Sequence, residues 1–363
     1  MAYRPELLLV DDDVIDLPFT QSILSRLPGV PLEQASRASN QARLKNLDTS
    51  LTKGKRTLHL KRFAGAALKL CPGYTDELLC CNYQVIDLVE NCPLECSYCI
   101  LQAFLNKPII SLHVNVEEIM AQVKATLAKN PTRKVRIGTG EHSDSLALDH
   151  LFYVNPYLIE EFADLPNASL ELKTKTNQID HLLGLNHGGH TVIAFSVNPP
   201  EIVKKQEFKT ASLAERLIAA RKLADDGYKL AFHFDPLIHY PGWEEGYQEV
   251  VEEIFKHVRP QEIAWVSLGT LRYIPKLKQI AEERFPGCGI FSDEFIPGEE
   301  GKRQYFKPIR KKMLQKVGNW LSEASGGETP LYICMEKSSL WEGSMPVIPK
   351  DAEELERHLT DKF

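Results

Sequence analysis

The sequence predicts an α/β protein whose central part is a partial (βα)6 barrel of the TIM type, flanked by an N-terminal and a C-terminal extension. From residue 83 onward, short apolar runs rich in β-branched and aromatic residues alternate with amphipathic segments. Strands that alternate with helices form βαβ units, and these build a parallel sheet. Six such runs indicate an incomplete barrel over about residues 82–285: YQVIDLV (83–89), KVRIG (134–138), SLELKT (169–174), TVIAFSV (191–197), YKLAFHF (228–234) and IAWVSLG (263–269).

Two of the amphipathic segments carry signals for the start of a helix. Asn115 precedes Glu118 by three residues, and Ser212 precedes Glu215 in the same way, which is the spacing of a capping box. Apolar residues then recur at helical spacing, and Gly227 supplies the end of the second segment. We therefore predict helices that begin just after Asn115 and Ser212.

The flanks of the barrel are less regular. Residues 1–80 show no clear alternation and contain a polar, basic middle. Beyond the barrel come a Gly/Pro-rich segment, a helix near 306–325, the strand LYICM (331–335) and a polar terminal helix. We predict three regions: an N-terminal region (1–80), the barrel (81–285) and a C-terminal α+β extension (286–363).

Composition excludes several classes of protein. The chain has 363 residues, with 43 Lys and Arg against 49 Asp and Glu, and so a formal charge of −6. Apolar residues at 43% and charged residues at 25% exclude a disordered, collagen-like or coiled-coil chain. No apolar run approaches the ~18 residues of a membrane helix, and no secretory signal is evident, so we expect a cytoplasmic protein that does not enter a membrane. A pI near 6.0 argues against binding nucleic acid through overall charge alone.

Six of the eight cysteines lie in one short stretch of the chain. Cys92, Cys96 and Cys99 have the spacing C-x3-C-x2-C directly after the first predicted barrel strand. In a reducing compartment, clustered thiols indicate metal binding or catalysis rather than crosslinks. Three thiolates can bind three irons of a 4Fe–4S cluster and leave the fourth iron open to a small molecule. A zinc ion is the alternative, with a fourth ligand such as Cys80, Cys81 or a histidine.

Several motifs resemble those of one protein family and follow in the same order. They are the cysteine segment continuing as CILQAFLNKP, then HVNVEEIM, EHSDSLALDH (141–150), TKTNQIDHLL (174–183), FSVNP (195–199), AARKLADDGYKL (219–230) and PGWEEGY (241–247). Over about residues 80–310 the chain is similar to the spore photoproduct lyases, a family of the radical S-adenosylmethionine (AdoMet) superfamily. The resemblance implies a radical AdoMet core with a 4Fe–4S cluster, an external electron donor of the flavodoxin or ferredoxin type, and cleavage of AdoMet to a 5′-deoxyadenosyl radical.

The resemblance also assigns roles to single residues, most of them at or just beyond the ends of predicted strands, where α/β barrels place their chemistry. Glu141 is expected to receive the methionine amino group of AdoMet, and Lys175 its carboxylate. Tyr98 and Glu141 are in addition the candidate catalytic residues. The candidate AdoMet contacts are Tyr98, Gly138, Gly140, Glu141, Ser143, Asp144, Lys175, Ser196 and Asn198, the candidate cluster ligands are Cys92, Cys96 and Cys99, and the candidates for the substrate side are His233, Asp235 and His239.

Two positions depart from the lyase pattern. The lyases carry a cysteine that donates hydrogen in the loop after the second strand, where this chain has Glu141. They also place tyrosines on both sides of the last cluster cysteine, whereas here the partner of Tyr98 is Ile100. A carboxylate has no weak bond to hydrogen. The resemblance therefore implies cluster and AdoMet binding but not efficient repair of spore photoproduct.

Three functions stay open on the sequence. The first is a radical AdoMet enzyme that acts on DNA or another nucleic acid. The second is an enzyme of the same fold with a different kind of substrate, and the third is a binding protein whose cluster or zinc is structural. Candidate replacement donors of hydrogen are Cys80, Cys81 and Cys334, and candidate phosphate contacts are Lys302, Arg303, Lys307, Arg310, Lys311 and Lys312.

Overall fold

Two largely parallel sheets organise the chain in the computed structural model, which describes residues 3–46, 50–75, 78–298, 301–345 and 347–361. The strands are β1 (Leu7–Asp11), β2 (Leu32–Ala35), β3 (Thr57–Lys61), β4 (Lys69–Leu70), β5 (Gln84–Val85), β6 (Val89–Glu90), β7 (Glu95–Cys96), β8 (Ile110–His113), β9 (Val135–Gly138), β10 (Ala168–Thr174), β11 (Thr191–Ser196), β12 (Glu207–Phe208), β13 (Lys229–Leu237), β14 (Ile263–Thr270), β15 (Arg272–Tyr273), β16 (Phe295–Pro297), β17 (Arg303–Tyr305) and β18 (Leu331–Ile333). The α-helices are α1 (Pro18–Arg26), α2 (Arg37–Asn46), α3 (Leu51–Gly54), α4 (Leu101–Phe104), α5 (Val116–Leu127), α6 (Asp149–Phe152), α7 (Asn155–Ala163), α8 (Pro200–Gln206), α9 (Leu213–Asp225), α10 (Trp243–His257), α11 (Pro275–Arg284), α12 (Lys307–Ala324), α13 (Ser338–Trp341) and α14 (Ala352–Thr360).

The larger sheet is the predicted barrel. Its strand order is β18-β14-β13-β11-β10-β9-β5-β4, and neighbouring strands are parallel except for the β4–β5 pair. All six predicted runs contribute strands to it in the predicted order, so the α/β partial barrel is confirmed. The central strands β11 and β14 are buried along almost their whole length, as strands covered on both faces require.

The N-terminal residues form a second α/β sheet, which differs from the irregular region that the sequence suggests. Its order is β2-β1-β3-β8-β6, in which the first four strands are parallel and β6 runs antiparallel to β8. Each of its first three strands has only four or five residues, and β2 is largely exposed. Strands this short contain too few residues for an alternation of polar and apolar side chains to be recognised in the sequence.

The predicted strand 83–89 divides between the two sheets. β5 lies in the barrel beside β9, whereas β6 pairs with β8 in the N-terminal sheet. Asp87 lies between β5 and β6, and its carboxylate binds Lys69 Nζ (3.1 Å) and His142 Nδ1 (2.8 Å). The division into three regions remains a prediction, and β6 and β8 cross its first boundary.

The two predicted capping boxes have different outcomes. At α9 the Ser212 Oγ accepts from the Glu215 N–H (3.3 Å) and the Glu215 carboxylate accepts from the Ser212 N–H (2.7 Å), so this box is confirmed. At α5 the box is wrong, because the Asn115 Oδ1 accepts from the Phe63 N–H (2.8 Å) instead of capping the helix. The competing partner comes from the segment after β3, which the local sequence does not reveal.

The C-terminal extension contacts the barrel through several of its elements. β18 pairs with β14, α12 packs against α10 and β14, and α14 is joined by an ion pair between Glu356 and Arg133 (3.0 Å). β15, β16 and β17 form a small antiparallel sheet. Within the described ranges, no helix combines the length and the hydropathy of a membrane-spanning segment.

Candidate active site

The loop that carries the three cysteines begins directly after β6 and is held from two sides. β7, which contains Cys96, pairs antiparallel with β12. Lys55 Nζ, from the N-terminal part of the chain, donates to the Leu94 carbonyl (2.8 Å). Arg284, at the end of α11, forms an ion pair with Glu95 (2.6 Å). The conformation of the loop therefore depends on both parts of the chain.

A cavity of about 250 Å³ lies beside this loop at the carboxyl ends of the barrel strands. It brings together most of the side chains that the sequence singles out. Those that line it are Cys92, Cys96, Tyr98, Cys99, Gly140, Glu141, Ser143, Asp144, Lys175, Ser196, His233 and Asp235. Gly138, Asn198 and His239 are not among its lining residues. The individual roles assigned to all of these residues remain predictions.

The three cysteines of the loop are free thiols, of which two are buried and Cys99 is partly buried. Burial raises the pKa of Cys92 to about 12 and also raises the pKa of Cys96 and of Cys99. Lys175 opposes this effect at Cys96 and Cys99 but does not outweigh it. Burial therefore favours the neutral thiols over the thiolates at this loop.

The glycine-rich loop after β9 has one structural glycine and one glycine at the cavity. A β-carbon at Gly138 would lie 1.5 Å from the Tyr83 Oη, so the missing side chain makes room for the packing of this ring. Gly140 lines the cavity, and a β-carbon there would lie 2.9 Å from the Lys173 Cβ. Only the second glycine is placed to bring backbone close to a ligand.

Asp144 organises the cavity wall rather than presenting a free carboxylate. Its Oδ1 accepts from the Leu146 N–H (3.0 Å) and the Thr174 hydroxyl (2.9 Å), and its Oδ2 accepts from the Lys175 N–H (2.6 Å). These bonds join the loop after β9 to the end of β10. The neighbouring Ser143 Oγ is buried and has no hydrogen-bond partner among the described residues, so it is available to a bound molecule.

A buried carboxylate that sequence reasoning missed stands behind Tyr98. Glu207 accepts a hydrogen bond from the Tyr98 hydroxyl and forms an ion pair with Arg216 (2.6 Å), and both partners of this pair are fully buried. Lys175 Nζ lies 3.9 Å from the Glu207 Oε1. Burial alone would raise the pKa of Glu207, but the two cations and the Tyr98 hydroxyl lower it to about 2. Glu207 thus fixes the position of Tyr98 and constrains that of Lys175.

A second missed set of polar residues lies on the inner face of the barrel. The Glu171 Oε1 accepts from His233 Nε2 (2.7 Å) and from the Trp265 indole N–H (3.2 Å). Lys173 Nζ lies 4.0 Å from the centre of the Tyr83 ring. Burial disfavours the charged form of Lys173, but the Glu171 carboxylate raises its pKa. The alternation of polar and apolar residues in SLELKT was the available signal, because alternate residues of a strand face the same side.

Two predicted residues are used elsewhere. The Asn198 Oδ1 accepts from the Tyr247 hydroxyl (2.7 Å) and its Nδ2 donates to Glu207 (2.9 Å), so its carboxamide is engaged behind the cavity rather than toward it. His239 pairs with Asp293, outside the lining of the cavity.

The predicted phosphate contacts near α12 are only partly available. Arg310 is buried and forms an ion pair with Glu336 (2.5 Å), so its guanidinium is already engaged, and its role as a phosphate contact stays a prediction. Lys312 pairs with Glu244 (2.6 Å) but keeps an exposed side chain. The helical spacing of the basic run conceals this difference, because residues two apart on a helix point in different directions.

Three further thiols interact electrostatically with one another, and two of them with carboxylates that line the cavity, which nothing in the sequence indicates. Cys71 follows β4 and Cys334 follows β18, so they lie at opposite edges of the barrel sheet. Burial and the Glu141 carboxylate raise the pKa of Cys71 to about 11, and burial and Asp235 raise that of Cys334. Cys81 is an electrostatic neighbour of both. Glu141, which acts on Cys71, and Asp235, which acts on Cys334, both line the cavity.

Comparison with known proteins identifies the family. A family model described as spore photoproduct lyase matches residues 3–313. The chain belongs to the spore photoproduct lyase family. It is 28% identical over 318 residues to the spore photoproduct lyase of Geobacillus sp. (strain Y412MC61), covering 84% of this chain and 87% of the relative. It is also 28% identical over 302 residues to that of Bacillus subtilis (strain 168), covering 80% and 85%.

Solved structures of spore photoproduct lyases have the same fold. One in complex with dinucleoside spore photoproduct superimposes with a TM-score of 0.81 at 25% identity, covering 92% of this chain and all of that one. A double mutant with bound AdoMet and dinucleoside spore photoproduct gives a TM-score of 0.80 at 25% identity, covering 92% and 99%. The likeness includes the N-terminal sheet as well as the barrel, since so little of either chain is left out.

Proposed function

We propose that this chain is a radical AdoMet enzyme that acts on DNA or another nucleic acid. The observation that carries the proposal is a single cavity, in a member of this family, that is lined by three cysteine thiols and by most of the candidate AdoMet contacts. The composition of the wall supports it, because cationic, anionic and hydroxyl groups stand beside the sulfur atoms.

Cys92, Cys96 and Cys99 are the residues that would hold a 4Fe–4S cluster. They offer one sulfur each on the wall of one cavity, which matches a cluster that takes one thiolate per iron. When bound, the cluster transfers an electron from a flavodoxin or ferredoxin type of donor to AdoMet and so releases the 5′-deoxyadenosyl radical. Burial raises the pKa of these thiols, so a bound cluster has to displace their protons.

Lys175, Glu141 and Ser143 are the residues that we assign to AdoMet. The Lys175 ammonium is held near Glu207 at 3.9 Å, a separation that leaves its hydrogen atoms free to bind a carboxylate. The Ser143 Oγ, buried without a partner among the described residues, gains one from a polar ligand in the cavity. Asp144 acts indirectly by fixing the backbone of Lys175.

A second candidate function is favoured by the two departures from the lyase pattern. Glu141 and Ile100 both line the cavity, in the positions where the lyases have hydrogen-transferring side chains. Neither a carboxylate nor an aliphatic side chain donates hydrogen readily to a carbon radical. An enzyme with these residues suits a reaction that ends differently, on another lesion or on a substrate other than nucleic acid.

The test is anaerobic reconstitution with iron and sulfide, reduction, and measurement of 5′-deoxyadenosine from AdoMet. We expect formation of 5′-deoxyadenosine in the wild type, stimulation by DNA that contains spore photoproduct, and none in Cys96→Ala. Cys288→Ala is the matched control, since Cys288 is a buried thiol outside the cavity. Formation that no DNA stimulates favours the second candidate, and no formation by a fully loaded wild type overturns the proposal.

A further inference from the structure

A second cavity lies in the N-terminal part of the molecule and has no place in the function proposed above. Its volume is about 520 Å³, compared with about 250 Å³ for the cavity beside the cysteines. It is enclosed by the N-terminal sheet, by α2 and by the segment that follows the cysteine loop. Because Phe104 and His142 line it while Ile100 and Glu141 line the cysteine cavity, the two cavities share a wall.

The position of this cavity in the sheet is one at which α/β proteins bind ligands. β1 lies between β2 and β3 in the sheet. The chain connects β1 to β2 on one side and then returns to form β3 on the other side, so the direction in which strands are added changes at β1. In open parallel sheets, ligands bind at the carboxyl ends of the strands where the order reverses. Asp11 ends β1, His59 and Lys61 lie in the second half of β3, and all three line the cavity.

The floor of the cavity has a buried acceptor that lacks a donor. The Asp11 Oδ1 binds His59 Nε2 (2.8 Å) and Asn40 Nδ2 (2.9 Å), and all three side chains are almost fully buried. The Asp11 Oδ2 has no hydrogen-bond partner among the described residues. An unsatisfied buried acceptor is costly. A ligand with hydroxyl or N–H groups relieves that cost.

The walls combine cations with an exposed aromatic ring. Arg37 is exposed at the rim, and Lys107 lines the cavity further along, whereas Lys61 is paired with Glu90 (2.7 Å), which also lines it. Phe104 is 59% exposed, and its ring stacks on that of His142 with 6.2 Å between centroids and 16° between planes. Cations at a rim suit a phosphate, a flat exposed ring suits a nucleobase, and a buried carboxylate with a free oxygen suits an N–H or hydroxyl donor.

We infer that this cavity binds a nucleotide unit, with its base on Phe104, its phosphate toward Arg37 and an N–H or hydroxyl donor of the unit toward Asp11. The same chemistry comes from two sources: a free nucleoside monophosphate, or one nucleotide of a DNA strand that continues toward the cysteine cavity. The inference does not rest on the cluster or on the proposed reaction, because binding at this site requires neither.

The test uses the full chain and two probes, thymidine 5′-monophosphate and a single-stranded oligothymidylate of twelve residues. Affinity is measured by calorimetry for the first probe and by fluorescence anisotropy for the second. Arg37→Ala and Phe104→Ala change exposed side chains and leave the core intact. Lys256→Ala and Phe306→Ala are the matched controls, because they remove an exposed cation and an exposed aromatic ring outside this cavity.

We expect each of the two cavity variants to weaken binding about fivefold or more, as the loss of a base-stacking ring does, with both controls within twofold of the wild type. A loss seen with the monophosphate and not with the oligonucleotide identifies a free nucleotide as the ligand, and the reverse identifies a DNA strand. If neither probe binds at millimolar concentration, or if the cavity variants bind both probes as the wild type does, the inference is wrong. AdoMet binding, measured in parallel, is expected to be unchanged in Arg37→Ala.

Discussion

Replacing Glu207 by glutamine tests the buried network behind Tyr98. The substitution keeps the shape of the side chain and an acceptor for the Tyr98 hydroxyl but removes the charge that faces Arg216. Both partners of this pair are fully buried. Breaking a buried ion pair on one side typically costs about 3–5 kcal/mol, because the remaining charge is left uncompensated. We expect the free energy of unfolding at pH 7 to fall by a similar amount.

The pKa of Glu207 gives an independent magnitude. Its value of about 2, against an ordinary 4.5, means that the folded protein favours the charged form. At about 1.4 kcal/mol per unit, the difference corresponds to about 3 kcal/mol. Because the folded-state pKa is lowered, this stabilisation is complete above pH 4.5 and is lost as the pH falls toward 2. The wild type and Glu207→Gln should therefore converge in stability over that window.

The measurement is urea unfolding followed by circular dichroism, at pH 7 and at several values below 4.5. Glu201→Gln is the control, because Glu201 pairs with Lys205 on the surface of α8, where both side chains are more than half exposed. Exposed pairs of this spacing contribute at most about 0.5 kcal/mol. A loss below about 1 kcal/mol in Glu207→Gln, or a difference from the wild type that does not shrink in acid, would refute the reasoning.

The other predictions concern the site itself. Cys96→Ala should lose most of its iron and the absorption near 400 nm that is typical of such clusters; full retention of iron contradicts the ligand assignment. Lys175→Ala should weaken AdoMet binding by about 2–5 kcal/mol with the cluster intact, and unchanged affinity by calorimetry places Lys175 outside the site. The wild type should not repair dinucleoside spore photoproduct over many turnovers, whereas Glu141→Cys combined with Ile100→Tyr should improve turnovers per AdoMet. Repair over many turnovers by the wild type contradicts this prediction. Cys334, and then Cys71, would be the first residues to substitute in a search for the hydrogen donor.

The barrel could be predicted from sequence because its strands are long, apolar and separated by amphipathic helices. β10, β11, β13 and β14 each bury most of their residues, so their pattern is strong and local. The N-terminal sheet could not be predicted, since its strands are short and its last two members come from residues 89–90 and 110–113, beyond the expected boundary. A strand of two to four residues is stabilised by its pairing with a neighbouring strand. Its own residues are too few to show an alternating pattern in a single sequence.

The site shows the same division. Motif resemblance found the residues that face the cavity, such as Cys96, Ser143 and Lys175. It did not find Glu207, which lies more than a hundred residues from Tyr98 in the chain and is recognised only by the contacts it makes. The run of basic residues likewise does not reveal that Arg310 is buried and paired with Glu336, because such a run does not show which of its members face the core.

The split of residues 83–89 between the two sheets has a consequence for dividing the protein experimentally. A chain that started at residue 81 would keep β6 and β8 but lose β1, β2 and β3, on which β8 depends for one of its two edges. That edge would then offer unpaired N–H and C=O groups to any neighbouring chain, which is a common route to aggregation. The cysteine loop begins one residue after β6. The radical-generating half therefore has no clean cut point on its N-terminal side, and dissection of this enzyme has to proceed by point substitution.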